Sequence, residues 1–244
     1  GDAFTLGDGA RSVLTGLLRQ NEGDQKTVSE VLAELERSPL RGRKGAWRTS
    51  AKRALESVEF AGLGKADFAE SAEFARTLLD KFTIVELDGL SDSCKRFLVP
   101  LLCLWIYAVR LGARDREQLR FVIVVEEAHH VLYGAPRARE TTMETLLRQG
   151  RELGLAFIVV DQHPHLLSSA ALGNTYTSII LNLKNPADSA RAAALSGVAR
   201  EQRDILLGLP VGEAVVRLQG RWEHPFRVRI PAVAVAKGPV SDEQ

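Results

Sequence analysis

Arg120-Phe-Val-Ile-Val-Val-Glu-Glu-Ala-His129 is the stretch that decides the fold. Phe121 to Val125 run apolar without interruption and stop at two carboxylates, Glu126 and Glu127. Apolar side chains on both faces of a strand need cover on both sides, which marks a strand of a mostly parallel sheet between helices.

The chain on either side keeps the alternation of strands and helices. Phe82-Thr-Ile-Val-Glu-Leu-Asp88 reads as a strand before this one, and Ser91 or Ser93 can cap a helix running to Leu111. Thr141 to Leu153 reads as helix, Leu155 to Asp161 as the third strand and Tyr176 to Asn182 as the fourth. Two short helices are expected over Pro186–Leu195 and Arg200–Leu207, and Glu213–Leu218 and Pro225–Ile230 are expected to close as a pair of strands. The first 70 residues read differently, as helices with no strand signal. Thr27 with Glu30 three residues on has the form of a capping box before Val28–Leu35. The expected organisation is a helical subdomain or insertion over 1–70, an α/β core over 71–233 and a tail over 234–244.

In such sheets chemistry sits beyond the C-terminal ends of the strands. Glu126 and Glu127 end one strand. A first acid there suits holding Mg²⁺ through water, and a second suits polarising an attacking water; an ordinary surface acid pair closing a strand weighs about equally. Gln162 follows the next strand, in Asp161-Gln-His-Pro164, where an amide can hold water or sense a γ-phosphate. Between them, Arg148 and Arg151 stand three apart on one helix face and could serve as an arginine finger, against the plainer expectation of surface pairs with Glu144 and Glu152.

Taken in order, Phe121–His129, Arg148-Gln-Gly-Arg151, Gly154–Pro164, Asn182-Leu-Lys-Asn-Pro-Ala-Asp188 and Leu209-Pro-Val-Gly-Glu-Ala214 resemble the HerA/FtsK-type ATPases, most of all the HerA branch, which is also similar to the ATPases of conjugative type IV secretion. The resemblance spans roughly residues 80 to 232 and implies a RecA-like P-loop fold, a homo-oligomeric, hexameric ring, ATP and Mg²⁺ as cofactors, and ATP-driven movement of double-stranded DNA, with a nuclease as partner. It places Glu126 at the Walker B position and Glu127 at the catalytic base. Gln162 becomes the sensor, Arg148 the leading finger candidate and Arg151 the second. Glu126 stands where many P-loop enzymes carry Asp, and His163 where the family often carries Arg.

One family element is missing from these 244 residues: the Gly-x4-Gly-Lys-Ser/Thr loop whose backbone amides cradle phosphates. Gly64-Lys65 is followed by Ala66, with Glu59 in place of the first glycine, and Lys26-Thr27 is preceded by Gln25. The one methionine is Met143 and the sequence begins at Gly1, so a preceding segment carrying that loop is expected, and the chain alone is expected to bind ATP poorly and not to hydrolyse it.

Composition narrows the rest. With 32 basic and 31 acidic residues the net charge is +1, so DNA contact must come from local patches rather than a global basic field. The candidates are Arg41, Arg43, Lys44 and Arg48, with Trp47 among them for base stacking, and Arg137 and Arg139 after the Walker B strand; a solvated basic loop is the plainer reading of the first group. The two cysteines, Cys94 and Cys103, fall on opposite faces of one expected helix, which fits a reducing cytoplasm. The apolar run from Phe97 to Val109 holds Pro100 and is too short to span a bilayer; a buried helix is expected. His129, His130, His163 and His165 could be imagined around zinc, but no thiol or carboxylate spacing supports a cage. Three rival functions stay open: a conjugation-type ATPase, a non-catalytic ring scaffold, and, weakest for want of a cofactor fingerprint, a small-molecule enzyme.

Overall fold

The computed structural model describes residues 3–20, 26–39, 41–62, 78–134 and 140–234. The chain forms two compact units, Gly1–Val160 and Asp161–Gln244.

The first unit begins with three helices, α1 (Asp8–Gln20), α2 (Val28–Arg37) and α3 (Gly42–Phe60). Thr27 caps α2 as its sequence dictates: its hydroxyl accepts from the Glu30 amide, and the Glu30 carboxylate accepts from the Thr27 amide at 2.8 Å. Leu6, Ala10, Leu35, Ala51 and Ala54 form the shared core, with Trp47 against them. A Cβ on Gly9 would lie 2.1 Å from the Trp47 ring, so the bare backbone of α1 is what admits the indole.

That packing corrects the reading of the basic stretch at 41–48. It is not a loop but the start of α3, with Arg41 as the N-cap residue. Trp47 spends its ring on the helical core, which removes it as a free stacking platform.

Helix α4 (Asp92–Leu111) starts at Ser91, whose hydroxyl accepts from the Cys94 amide. The helix is less buried than its apolar run suggests. Cys94, Cys103 and Arg110 are buried, whereas Leu101, Leu104 and Val109 are exposed. Burial pushes the Cys103 thiol up to about 12, which keeps it protonated and inert.

Strand β1 (Phe121–Val125) pairs in parallel with β2 (Leu155–Val159), in register from Phe121 opposite Leu155 to Val125 opposite Val159. Between them lie α5 (Thr142–Gln149) and a 3₁₀ turn, Gly150–Leu153. The expected helix over 141–153 thus tightens at Gly150, where a Cβ would meet the Phe157 ring at 2.9 Å. Only one face of the β1–β2 pair is covered among the described residues: Val122 is 51% and Val124 56% exposed.

Residues 82–87 do not form the expected strand. Apolar alternation favours a pleated strand only where a neighbour supplies the ladder. Among the described residues no strand lies against this segment, and Phe82 is 94% exposed.

The second unit holds an antiparallel sheet in the order β3 (Thr177–Ile180), β4 (Glu213–Leu218), β5 (Phe226–Arg229). The last two strands pair as their sequence implies, with Glu213 opposite Arg229. Short helix α6 (Ser169–Gly173) precedes β3, and α7 (Pro186–Ser196) follows it, with Pro186 at its first turn and the Asn185 side chain accepting from the Ala187 amide. A 3₁₀ segment, Arg200–Leu207, stands where the second short helix was expected. Ile180, Ala192, Ala193, Leu206, Leu209 and Val215 form this unit's core. The chain is therefore mixed α/β, with its parallel pairing at β1–β2. Most of the expected tail, 235–244, lies outside the described residues.

Candidate functional site

The glutamate pair occupies a break in the ladder of the first unit. The Val160 amide donates to the Val125 carbonyl at 2.9 Å, and the Val160 carbonyl accepts from the Ala128 amide at 3.2 Å. One residue thus bonds on both sides of Glu126 and Glu127, and these two are displaced from the ladder at the tip of β1. Glu127 has φ 45° and ψ 49°, the left-handed region, where a side chain costs about 1–2 kcal/mol relative to the right-handed one. Thr5 and Glu127 are the two non-glycine residues with positive φ among the described ones. Ala128, fully buried, anchors the 3₁₀ turn Ala128–His130 that follows, and the His130 amide donates to the Glu127 carbonyl at 3.0 Å.

Helix α4 holds this turn from the side. Arg96 Nε donates to the His130 carbonyl at 2.8 Å, and His130 Nδ1 lies 3.0 Å from an Asp92 carboxylate oxygen. The Arg96 guanidinium also sits over the Tyr133 ring. His129 Nδ1 is 3.6 Å from Glu127 Oε2, which makes it a neighbour of the candidate base that sequence reading weighed only as a zinc ligand. An i, i+2 spacing puts two side chains on one face only within a strand, and this pair lies past the end of β1; the left-handed turn brings the two together.

Glu126 is exposed and Glu127 half-buried. Two carboxylates presented by a strand tip are hard oxygen donors of the type Mg²⁺ takes together with its waters. The residues present fit the metal and water end of a nucleotide site. The pattern Gly-x4-Gly-Lys-Ser/Thr does not occur in these 244 residues.

Arg148 lies on α5 and Arg151 in the 3₁₀ turn after it, so the two belong to successive elements rather than to one helix face. Arg148 makes a two-point pair with Glu140, Nε to Oε1 at 3.2 Å and NH2 to Oε2 at 3.0 Å. This partner is not the expected Glu144, whose carboxylate instead accepts from the Thr141 amide at 2.7 Å and closes the N-terminal capping box of α5. The Arg148 guanidinium holds the Glu140 carboxyl below the usual range. Arg151 is exposed.

Gln162 is exposed and belongs to the second unit, three residues after the end of β2. Of the basic candidates, Arg41, Arg43 and Lys44 are exposed at the start of α3, with the Arg43 guanidinium over the Trp47 ring at 5.4 Å, and Arg48 donates to the Ser38 carbonyl. Arg137 and Arg139 lie outside the described residues.

No protein-family model matches the chain. By sequence it is 28% identical over 149 residues to the DNA double-strand break repair helicase HerA of Sulfolobus acidocaldarius, a match that covers 57% of this chain and 29% of that protein. By structure it is similar to VirB4 of Thermoanaerobacter pseudethanolicus, with a TM-score of 0.63 and 18% identity, over 94% of this chain and 65% of that one. The genome packaging NTPase B204 of Sulfolobus turreted icosahedral virus 2, in complex with AMP, aligns with a TM-score of 0.48 and 14% identity, over 65% of this chain and 72% of that one. The chain spans under a third of the length of HerA and about two thirds of VirB4. The VirB4 likeness, at 18% identity, is a likeness of fold alone.

Proposed function

We propose that this relative of the HerA/FtsK-type P-loop ATPases supplies the Walker B half of a nucleotide site in an ATP-hydrolysing, DNA-translocating ring. The observation that carries the reading is the pair Glu126–Glu127, expelled from the β1–β2 ladder at the strand tip with Glu127 in a left-handed backbone. Strain of this kind persists where the surroundings over-determine it, and it concentrates at functional sites. The 28% identity to HerA supports the same reading.

In this proposal Glu126 holds Mg²⁺ through water. The ion would neutralise charge on the phosphates when ATP is bound. Glu127 accepts a hydrogen bond from the attacking water and draws off its proton. His129, beside Glu127, orients that carboxylate. Gln162 senses the γ-phosphate, and Arg148 or Arg151 reaches toward charge developing at a neighbouring subunit's site. Arg41, Arg43, Lys44 and Arg48, together with Arg137 and Arg139, are the proposed contacts to double-stranded DNA. Assembly as a homo-hexamer, and service to a nuclease partner, belong to the same proposal. In this proposal turnover requires a phosphate loop from outside these residues, in which the Gly-x4-Gly-Lys-Ser/Thr pattern does not occur.

The test is ATP hydrolysis by the full-length protein with and without double-stranded DNA. Stimulation by DNA, abolished by Glu127→Gln with the fold intact, is the expected result. Hydrolysis at the wild-type rate in Glu127→Gln removes the assignment. Turnover by the 244-residue chain alone would remove the need for a separate phosphate loop.

A further inference from the structure

Asp188 sits in the first turn of α7 with its side chain 2% exposed, and its partners among the described residues are all histidine groups. His165 Nδ1 lies 2.6 Å from Oδ1, the His165 backbone amide donates to the same oxygen at 3.1 Å, and His163 Nδ1 lies 3.5 Å from Oδ2. Among the described residues, this buried carboxyl is thus faced by two imidazoles and one backbone amide.

A buried charge is stable when it is paired or when it coordinates a metal. One donor atom from each of His163, His165 and Asp188 falls within 4.8 Å of the other two. Zinc takes imidazole nitrogen and carboxylate oxygen at about 2.0–2.2 Å, which puts neighbouring donors about 3.3 Å apart in a tetrahedron. The 3.5 Å between His163 Nδ1 and Oδ2 matches that edge, whereas the 2.6 Å between His165 Nδ1 and Oδ1 is a hydrogen bond that has to open for that nitrogen to ligate the ion. The His165 amide bond fixes the carboxylate from behind, the kind of support that orients a metal ligand. Both imidazoles keep part of their surface in solvent, so a fourth position opens outward.

We propose that His163, His165 and Asp188 bind one Zn²⁺ ion, with the fourth coordination position open to water. The three ligands all belong to the second unit, and neither glutamate of the pair is among them. It does not depend on the proposed ATPase chemistry. Neutral imidazoles and an ionised carboxylate bind the ion, so acid releases it.

The experiment uses full-length protein without a histidine tag. Zn²⁺ is titrated against a chromophoric chelator, and Co²⁺ binding is followed by its visible absorption. The expected result is one equivalent of Zn²⁺ held against the chelator, with the visible bands of four-coordinate Co²⁺. His163→Ala alters an exposed ring and leaves the fold in place; it and His165→Ala each weaken binding at least about tenfold. Asp188→Asn does the same where it folds, and His129→Ala leaves binding unchanged. Failure to compete with the chelator, affinity undiminished in both His163→Ala and His165→Ala, or loss of binding in His129→Ala overturns the proposal. None of these readouts involves ATP, so they stand whether or not the ATPase assignment does.

Discussion

The Ala128 amide donates to the Val160 carbonyl at 3.2 Å, and this bond closes the ladder behind a left-handed Glu127. Glycine adopts that backbone without a Cβ penalty. Glu127→Gly is therefore expected to raise the unfolding free energy by about 0.5–1 kcal/mol while removing the candidate base. Chemical denaturation of the variant beside the wild type measures this. Destabilisation by more than about 1 kcal/mol would show that the Glu127 side chain contributes packing that outweighs its backbone cost.

Arg148 and Glu140 hold each other in a two-point pair on the surface of the first unit. Exposed pairs of this kind contribute little to stability. If Arg148 acts on a neighbouring site, it must exchange Glu140 for the phosphates. Arg148→Ala in the full-length protein is then expected to lower turnover by about 10³-fold or more, the scale of a lost arginine finger. Glu140→Gln, which frees the guanidinium, is expected to leave turnover within about tenfold of wild type. Steady-state ATP hydrolysis separates these outcomes, and Arg151→Ala measured alongside identifies the residue that reaches across. If both arginine variants run at the wild-type rate, the finger assignment fails.

Much of this architecture is legible in the residues. The Thr27–Glu30 box, the Ser91 cap, the parallel strands on either side of Arg148 and the closing pair β4–β5 follow from local chemistry, and local chemistry does not depend on what lies elsewhere. What escapes is non-local. The 82–88 stretch has the alternation of a strand, but its pairing depends on a neighbour that its own residues do not specify. The basic stretch at 41–48 contains two glycines and reads as loop; it is helix, with the partly buried Trp47 ring packed against Gly9, thirty-eight residues earlier. The carboxylate that joins His163 and His165 comes from 23 residues downstream of His165, a spacing that matches no short ligand motif. The glutamate pair itself was plain in the sequence, whereas the left-handed turn that seats it arises from the neighbouring strand.

Arg110 illustrates the same point and gives a pH prediction. It is a buried cation at the end of α4, donating from Nε to the Leu153 carbonyl at 2.8 Å and pairing NH1 with Asp115 Oδ1 at 2.9 Å. It ties the loop before β1 to the turn before β2. The Arg110 guanidinium, with Arg120 adding to it, holds the Asp115 carboxyl below its ordinary value. A carboxyl lowered in the folded state contributes stability that is full above its unfolded pKa, about 3.9, and is lost as pH falls through the folded value. Thermal unfolding from pH 6 downward is expected to show a steeper loss for wild type than for Asp115→Asn, with the two curves converging at the acid end. Parallel curves would mean that the pair makes no net contribution.

Gly154 offers the sharpest test of the β1–β2 pairing. It ends the 3₁₀ turn with φ 71°, and its carbonyl accepts from both the Arg120 and Phe121 amides, at 2.9 and 3.2 Å. A Cβ there would lie 2.0 Å from the Gln118 carbonyl oxygen, a backbone atom that no rotamer change can move away. Left-handed strain and a backbone collision add at one position. Gly154→Ala is expected to destabilise the first unit by about 2–4 kcal/mol, whereas Gly16→Ala, in open space within α1, is expected to stabilise it by about 0.5–1 kcal/mol. Denaturant midpoints of the two variants check both signs. A Gly154→Ala protein as stable as wild type would mean that the loop ending at Arg120 does not approach the turn as closely as this, and the strand register that delivers Glu126 and Glu127 to their tip would have to be redrawn.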